Sequence, residues 1–459
     1  MKLLTIIATP MHTAIARARL ALPLLCLLLF ATSLFATQAR VESMGKRSAF
    51  FLDDVSIFSN PANATLYSNT FMGELGFYSQ NSLGTADVGF RRDPFNPWFG
   101  ALFRNELSNE GLRDPQITIG GFFQRDRPEF ARFIPRKVVV MGDTISIPQT
   151  ITNFDAFLAG TMVDGSAVGA HVYVGLQNGK QDDDVLADDA HTSVLTMDYG
   201  ANFLITNRSS VELSFGIARI QYGPVRKSFL DSDLFSFYSQ GRLFLEMDAW
   251  HGHFITGYKV ADIEVPGWNE LSLNLNTGFN VIIHRGQFWF GLDAVHVREN
   301  VGTWEKFHGE DDKGRPDNFL IYREPNPKEE IVEDASKQFG GILSFGIERN
   351  IWKNWLLVRA GAQKSVIYKT CHNNTDRSAS EGGVSAVCPS AGDKKGRYSY
   401  WTTNPYNDGT LDDHLGFGVG LNIDNKLKID ASVAEDIFFR NPFTQTGRFL
   451  SRISAIYVF

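Results

Sequence analysis

Beyond residue 69 apolar and polar residues alternate with a period of two along much of the chain. In Leu271 to Ile283, Leu271, Leu273, Leu275, Phe279, Val281 and Ile283 share one parity, while Ser272, Asn274, Asn276, Gly278 and Asn280 share the other. Phe288, Phe290, Leu292 and Ala294 repeat the pattern, as do Leu415, Phe417, Val419, Leu421 and Ile423. Successive side chains of a strand point to opposite faces, so each run has one apolar and one polar face. Many runs exceed the five or six residues usual in soluble sandwiches and reach the roughly nine to eleven that cross a bilayer. Arg242, Glu246, Asp248, Glu348 and Asp430 fall on the polar parity, where Gly and Ser are frequent. Charge is costly against lipid and acceptable against a wet interior.

The connections alternate too. Short turns fall at Val163 to Ser166, Thr206 to Arg208, His284 to Gly286 and Asp424 to Lys426. Long polar stretches fall at Gln177 to Ala190, Tyr222 to Asp233, Glu299 to Lys337 and Thr370 to Leu411. Short turns on one side and long loops on the other are the habit of membrane barrels. The pattern predicts an all-β fold, an antiparallel transmembrane β-barrel of about 14–16 strands with an N-terminal hatch segment. The uncertainty lies in the first third, where Pro94, Pro97, Pro128, Pro135 and Pro148 interrupt any ladder. The last run places Phe449, Ile453, Ala455, Tyr457 and Phe459 on one face. Tyr457 and Phe459 resemble the terminal signal read by the barrel-assembly machinery, the partner expected during biogenesis.

A mean hydropathy of −0.14 is too low for a helical membrane bundle. The one long apolar stretch, Leu20 to Phe30, follows Arg17 and Arg19 and precedes a small-residue exit, the pattern of an export signal over residues 1–39. Cleavage is expected after Ala36 or Ala39, from a start at Met1 or Met11. A net charge of −7 without a basic stripe argues against nucleic acid as a partner. Once Cys26 leaves with the leader, Cys371 and Cys388 remain, either as one disulfide or as two free thiols in a loop.

Residues 40–69 do not read as a strand. They carry Phe50, Phe51, Asp53, Asp54, Ile57, Phe58 and then Asn60, Pro61 and Ala62. Pro61 fixes its own φ and biases Asn60 away from helix, while the Asn60 side chain can hold a local turn. The Asp-Asp pair followed by Asn-Pro-Ala resembles the N-terminal hatch of the FadL family of outer-membrane hydrophobic-compound transporters, including the PorV-like relatives. The resemblance implies a leader over 1–39, a hatch or plug over 40–69 and a transmembrane barrel over 70–459. It also implies an outer-membrane location among lipid and lipopolysaccharide, and passive transport of hydrophobic or amphipathic small molecules. Phe50, Phe51, Ile57 and Phe58 would line an apolar path or pack the plug against the wall. The alternative within the resemblance is a PorV-like scaffold for secreting or attaching surface proteins.

Catalysis is not expected: the chain has no nucleophile elbow, zinc-protease helix or phosphate loop. His251 and His253 lack a nearby third ligand, and Asp182 to Asp184 with Asp188 and Asp189 lack calcium-loop spacing. No cofactor or metal is therefore expected. Detergent dependence separates the barrel from a fourth class, a soluble secreted all-β protein.

Overall fold

The computed structural model describes residues 38–459 apart from 52, 77–96, 107–114, 132, 135–136, 141–142, 147–151, 179–190, 207, 224–233, 248–250, 266–267, 302–303, 311–315, 323–333, 353–354, 374–383, 386–395, 403–412, 425 and 434–449. Nearly all of the expected leader, the acidic run at 182–189, Asp248 and Cys388 lie outside the described residues.

Sixteen antiparallel strands close into a barrel. They are β1 Thr70–Gly76, β2 Trp98–Glu106, β3 Gln116–Phe123, β4 Thr152–Thr161, β5 Ala167–Asn178, β6 His191–Thr206, β7 Ser209–Gly223 and β8 Ser236–Met247. The ring continues through β9 Gly252–Val265, β10 Trp268–Ile283, β11 Gly286–Val301, β12 Asp334–Trp352, β13 Leu356–Asn373, β14 His414–Ile423, β15 Leu427–Val433 and β16 Leu450–Val458. Each pairs with its chain neighbour, and β16 returns to β1 with Val458 opposite Thr70 and Arg452 opposite Gly76. Closure leaves no free edge, so every strand's backbone polar groups find partners across the ladder.

The period-two pattern becomes two surfaces. Phe215, Phe237, Leu275, Phe339 and Leu343 stand outward and exposed, a belt suited to lipid. On the same strands Ser214, Asn276 and Ser344 face inward and are buried. Of the prolines of the first third, Pro97 precedes β2 and Pro128 opens a helical turn, while Pro94, Pro135 and Pro148 lie outside the described residues; the ring has sixteen strands.

The long connections are less loop-like than expected. Between β11 and β12 lie strands Trp304–Glu310 and Pro316–Tyr322, which pair with each other. With Lys137–Val140, Asp143–Ser146 and Val384–Ser385 they form a separate five-stranded sheet beyond the long-loop end of the barrel. Gly396–Thr402 pairs with the upper part of β13, whose lower part pairs with β14.

Candidate functional site

Gln38 to Tyr67 builds four short turns of helix: α1 Gln38–Ser43, a 3-10 turn Ser48–Phe50, α2 Ser56–Ser59 and a second 3-10 turn Pro61–Tyr67. The Asn60 carboxamide oxygen accepts from the Ala62 N–H at 3.1 Å, and Pro61 opens the following turn, where a missing N–H costs nothing. Asp53 Oδ1 accepts from the Ser56 N–H at 2.9 Å and starts α2 in the same manner. Gly45, at φ +89°, takes the left-handed conformation that ends α1.

The segment touches strands on every side of the ring. α1 packs on β13 to β16, Ser48–Phe50 on β10 and β11, and Pro61–Tyr67 on β2 to β6. Only the interior of a closed barrel can be reached from all of these at once. Wall residues without side chains make room for the approach. A Cβ at Gly200 would overlap the Asn60 side chain, one at Gly291 the Phe50 ring, and one at Gly361 the backbone of Met44.

Ion pairs fasten the segment at several points. Arg40 Nε lies 3.0 Å from Glu348 Oε2, and Glu348 also binds Arg359, which continues to Asp430 at 2.6 Å. Glu42 accepts from Arg452 Nε at 2.5 Å, and the same guanidinium reaches Glu74 at 2.7 Å. Arg242 donates to the Ser48 carbonyl at 3.0 Å and to Glu212 Oε2 at 2.6 Å. Burial alone would raise the Glu42 carboxyl, but Arg452, Lys46 and His414 outweigh it and hold the group below the usual carboxylate range. Asp53 behaves oppositely. Burial, then the adjacent Asp54, pushes its carboxyl from 3.8 up to about 7, against the pull of Arg40, Arg242 and the Ser56 N–H.

Apolar contacts complete the seat. The Phe50 ring stacks on Trp289 with centroids 5.4 Å apart, and Phe51 lies 5.9 Å from the same indole. Phe58 sits among Trp98, Phe122 and Phe157, edge-on to each, and Ile57 is wholly buried in the same cluster. In this arrangement the four apolar candidates contact the wall. Asn60 Nδ2 donates to the Ala201 carbonyl at 3.2 Å, and Pro61 and Ala62 are buried against β5.

The remaining sequence candidates lie apart. Tyr457 pairs with Phe71 across the closing seam, and the Phe459 N–H donates to the Asn69 carbonyl at 3.1 Å. Cys371 is disulfide-bonded and wholly buried near the long-loop end. His253 meets the Arg208 carbonyl in a turn region. Among the described residues no group of three or more His, Cys, Asp or Glu is placed to hold a metal ion. Sequence reasoning missed Arg40, Glu42, Arg359 and Arg452 as fasteners. Only the inward parity of the strand charges hinted at them, because the partners of Arg40, Glu42 and Arg452 are hundreds of residues away and those of Arg359 lie 11 and 71 residues away.

No protein-family model matches the chain, and a search of curated proteins finds no relative. Among solved structures, the deltaS2 mutant of the TodX monoaromatic hydrocarbon channel is similar at 10% identity and TM-score 0.35, over 92% of this chain and 98% of that one. BamA from Haemophilus ducreyi lacking POTRA domains 1-3 is similar at 8% identity and TM-score 0.33, over 84% and 69%. The copper transporter OprC is similar at 9% identity and TM-score 0.31, over 79% and 65%.

Proposed function

We propose that this chain is an outer-membrane barrel that passes hydrophobic or amphipathic small molecules without catalysis, and that Gln38 to Tyr67 is its hatch. The observation that carries the reading is the position of that segment inside the closed ring of strands. A spanning barrel needs no interior occupant to pair its strands, so an ordered, apolar-studded segment there implies control of passage. Among the described residues the segment joins the wall by side chains, isolated backbone donors and acceptors and apolar contacts, without a ladder of its own. Above it, Phe130, Phe133, Tyr173, Val194, Ile220 and Tyr222 pack into one buried apolar cluster.

The test is deletion of residues 40–67 and reconstitution in planar bilayers. The intact protein is expected to conduct poorly and the deletion to form large, steady channels. Uptake of a hydrophobic probe by whole cells is expected to require the segment. Equal conductance with and without it would overturn the hatch and leave a porin or a docking scaffold.

A further inference from the structure

The outer wall of β11, β12 and β13 changes character toward the long-loop end. Pairing register sets its outward residues in rows. Ala294, Gly341 and Val366 stand side by side in one of them. The next row up joins His296, Phe339 and Tyr368, and Trp401 of the strand Gly396–Thr402 extends it. Phe339, Tyr368 and Trp401 are exposed, and the rings of the last two lie 5.1 Å apart. Aromatic side chains at one level on a barrel mark the boundary between hydrocarbon and headgroups. One row higher, Arg298 stands directly opposite Lys337, and in the row above that Arg397 stands opposite His372. All four side chains are exposed.

Residues directly opposed on antiparallel strands have Cβ atoms about 4.5–5.5 Å apart, and like charges so placed repel. The wall around Arg298 and Lys337 offers neither a counter-charge. Their row continues to Leu271 on one side and Thr370 on the other, and the acid of that row, Asp262, stands two strands from Arg298. Glu299, next to Arg298 in the chain, is buried on the inward face beside Ser336. Other outward basic residues are provided for within the chain. Lys364, lower on β13, pairs with Asp413, and the Arg219 guanidinium lies 6.0 Å over the Phe235 ring. An opposed and unmatched pair beside matched ones calls for an anion from outside the chain.

The level of the pair says which anion. Just below it the wall presents Phe339, Val366 and Leu343, an exposed apolar strip against which acyl chains can lie. An anion held above such a strip is the headgroup of an amphiphile. A guanidinium binds phosphate through two parallel bonds and an ammonium adds a point charge. We propose that Arg298, Lys337 and Arg397 form a site for the phosphate of an acylated outer-leaflet lipid, a phosphorylated glycolipid, whose chains lie on Phe339, Val366 and Leu343. The proposal rests on the outer-membrane reading above and is independent of the hatch.

The test is native mass spectrometry of the full barrel in detergent micelles, titrated with lipid A and with lipid A stripped of its phosphates. The phosphorylated form is expected to bind more tightly. Arg298→Gln with Lys337→Gln should weaken its binding about thirtyfold, at about fivefold for each charge, and leave the stripped form unchanged. Arg285→Gln with Arg349→Gln removes two exposed charges at the short-turn end of the same wall and should have no effect. Because the opposed charges repel, the Arg298 and Lys337 double variant should melt no lower than the unsubstituted barrel in lipid-free detergent. Equal binding of the two lipids by the unsubstituted protein, an equal loss in the short-turn control, or displacement of lipid A by the same concentration of inorganic phosphate overturns the proposal. A lower melting point of the double variant overturns the claim that the pair is unmatched. Heat-modifiable migration of the unsubstituted protein tests the barrel reading separately, so a folded barrel that ignores the phosphates refutes this site alone.

Discussion

Phe50→Ala tests whether the interior segment is held by its seat rather than by the barrel's ladder. The Phe50 ring is wholly buried, stacks nearly parallel to Trp289 at 17°, and presses against the bare backbone of Gly278 and Gly291. Truncating a buried aromatic to alanine costs about 3–5 kcal/mol, of which the stacked pair accounts for about 0.5–1.5. No strand pairing uses this ring, so the loss falls on seating the segment and not on closing the barrel. At about 1.4 kcal/mol per tenfold, the unseated fraction rises by roughly two to three and a half orders of magnitude. Gly291→Val should act in the same direction from the wall, since its side chain would occupy the space of the ring.

The assay is single-channel recording in planar bilayers, with folding checked by heat-modifiable migration. Phe50→Ala should give frequent openings whose size matches the deletion of residues 40–67, and Gly291→Val should do likewise. Openings as rare as in the unsubstituted protein, with the barrel folded, would refute the assignment of Phe50 as an anchor. Loss of the folded band would refute the claim that wall and segment are energetically separable.

Three further outcomes follow from other contacts. Asp53 seated in the lumen holds its proton up to about pH 7 but, once displaced into water, ionises near 4, so seating should strengthen as pH falls from about 7 to 4 and be weakest above 7. Asp53→Asn should remove that dependence and hold the segment more tightly above pH 7, by up to about 4 kcal/mol, read as fewer channel openings; an unchanged pH profile contradicts it. Arg452→Ala strands Glu42 and Glu74 in a buried site and should cost about 3–5 kcal/mol, measured by thermal unfolding, with Glu74→Gln in the same protein recovering part of the loss. Phe459→Ala should lower the yield of folded barrel more than a substitution in a long connection, and equal membrane levels would show that the terminal strand is not read during assembly.

The barrel was legible because lipid and lumen impose opposite demands on alternate residues, and Leu271 to Ile283 obeys them at all but Thr277 and Ile282. The loop-side ends of β11, β12 and β13, at residues 299–301, 334–337 and 370–373, were read as loop. There both faces are polar, so the period-two signal fades although the ladder continues. Asn60 and Pro61 were legible because their effect is local: a fixed φ and a carboxamide two residues from its acceptor. Arg40 and Glu42 were not. Their meaning depends on Glu348 and Arg452, which only barrel closure brings beside them, and no spacing in the chain encodes that distance. The segment Gln124 to Ile134, which buries Phe130, Phe133 and Ile134 among inward side chains of the wall, was hidden for a related reason. Pro128 was read correctly as a strand breaker, but a break does not say whether the chain goes outward or inward.

What turned that chain inward is charge. The carboxylates of Asp155 and Asp198 face a lumen that must be wet or neutralised, and Arg125 and Arg127 neutralise them more closely than water does. The same reasoning accounts for Arg40 against Glu348 and for Glu42 against Arg452. In each case a wall charge of one sign, tolerable in an open aqueous pore, meets the opposite charge on an element that enters the pore. An empty porin-like lumen has no need of such complementarity, because water and counter-ions would serve. Matched fasteners on two different interior elements therefore argue that the closed arrangement is the state for which the wall was selected. They also explain why opening can be modest in cost: each charge freed from a partner is returned to water, which recovers much of the lost interaction.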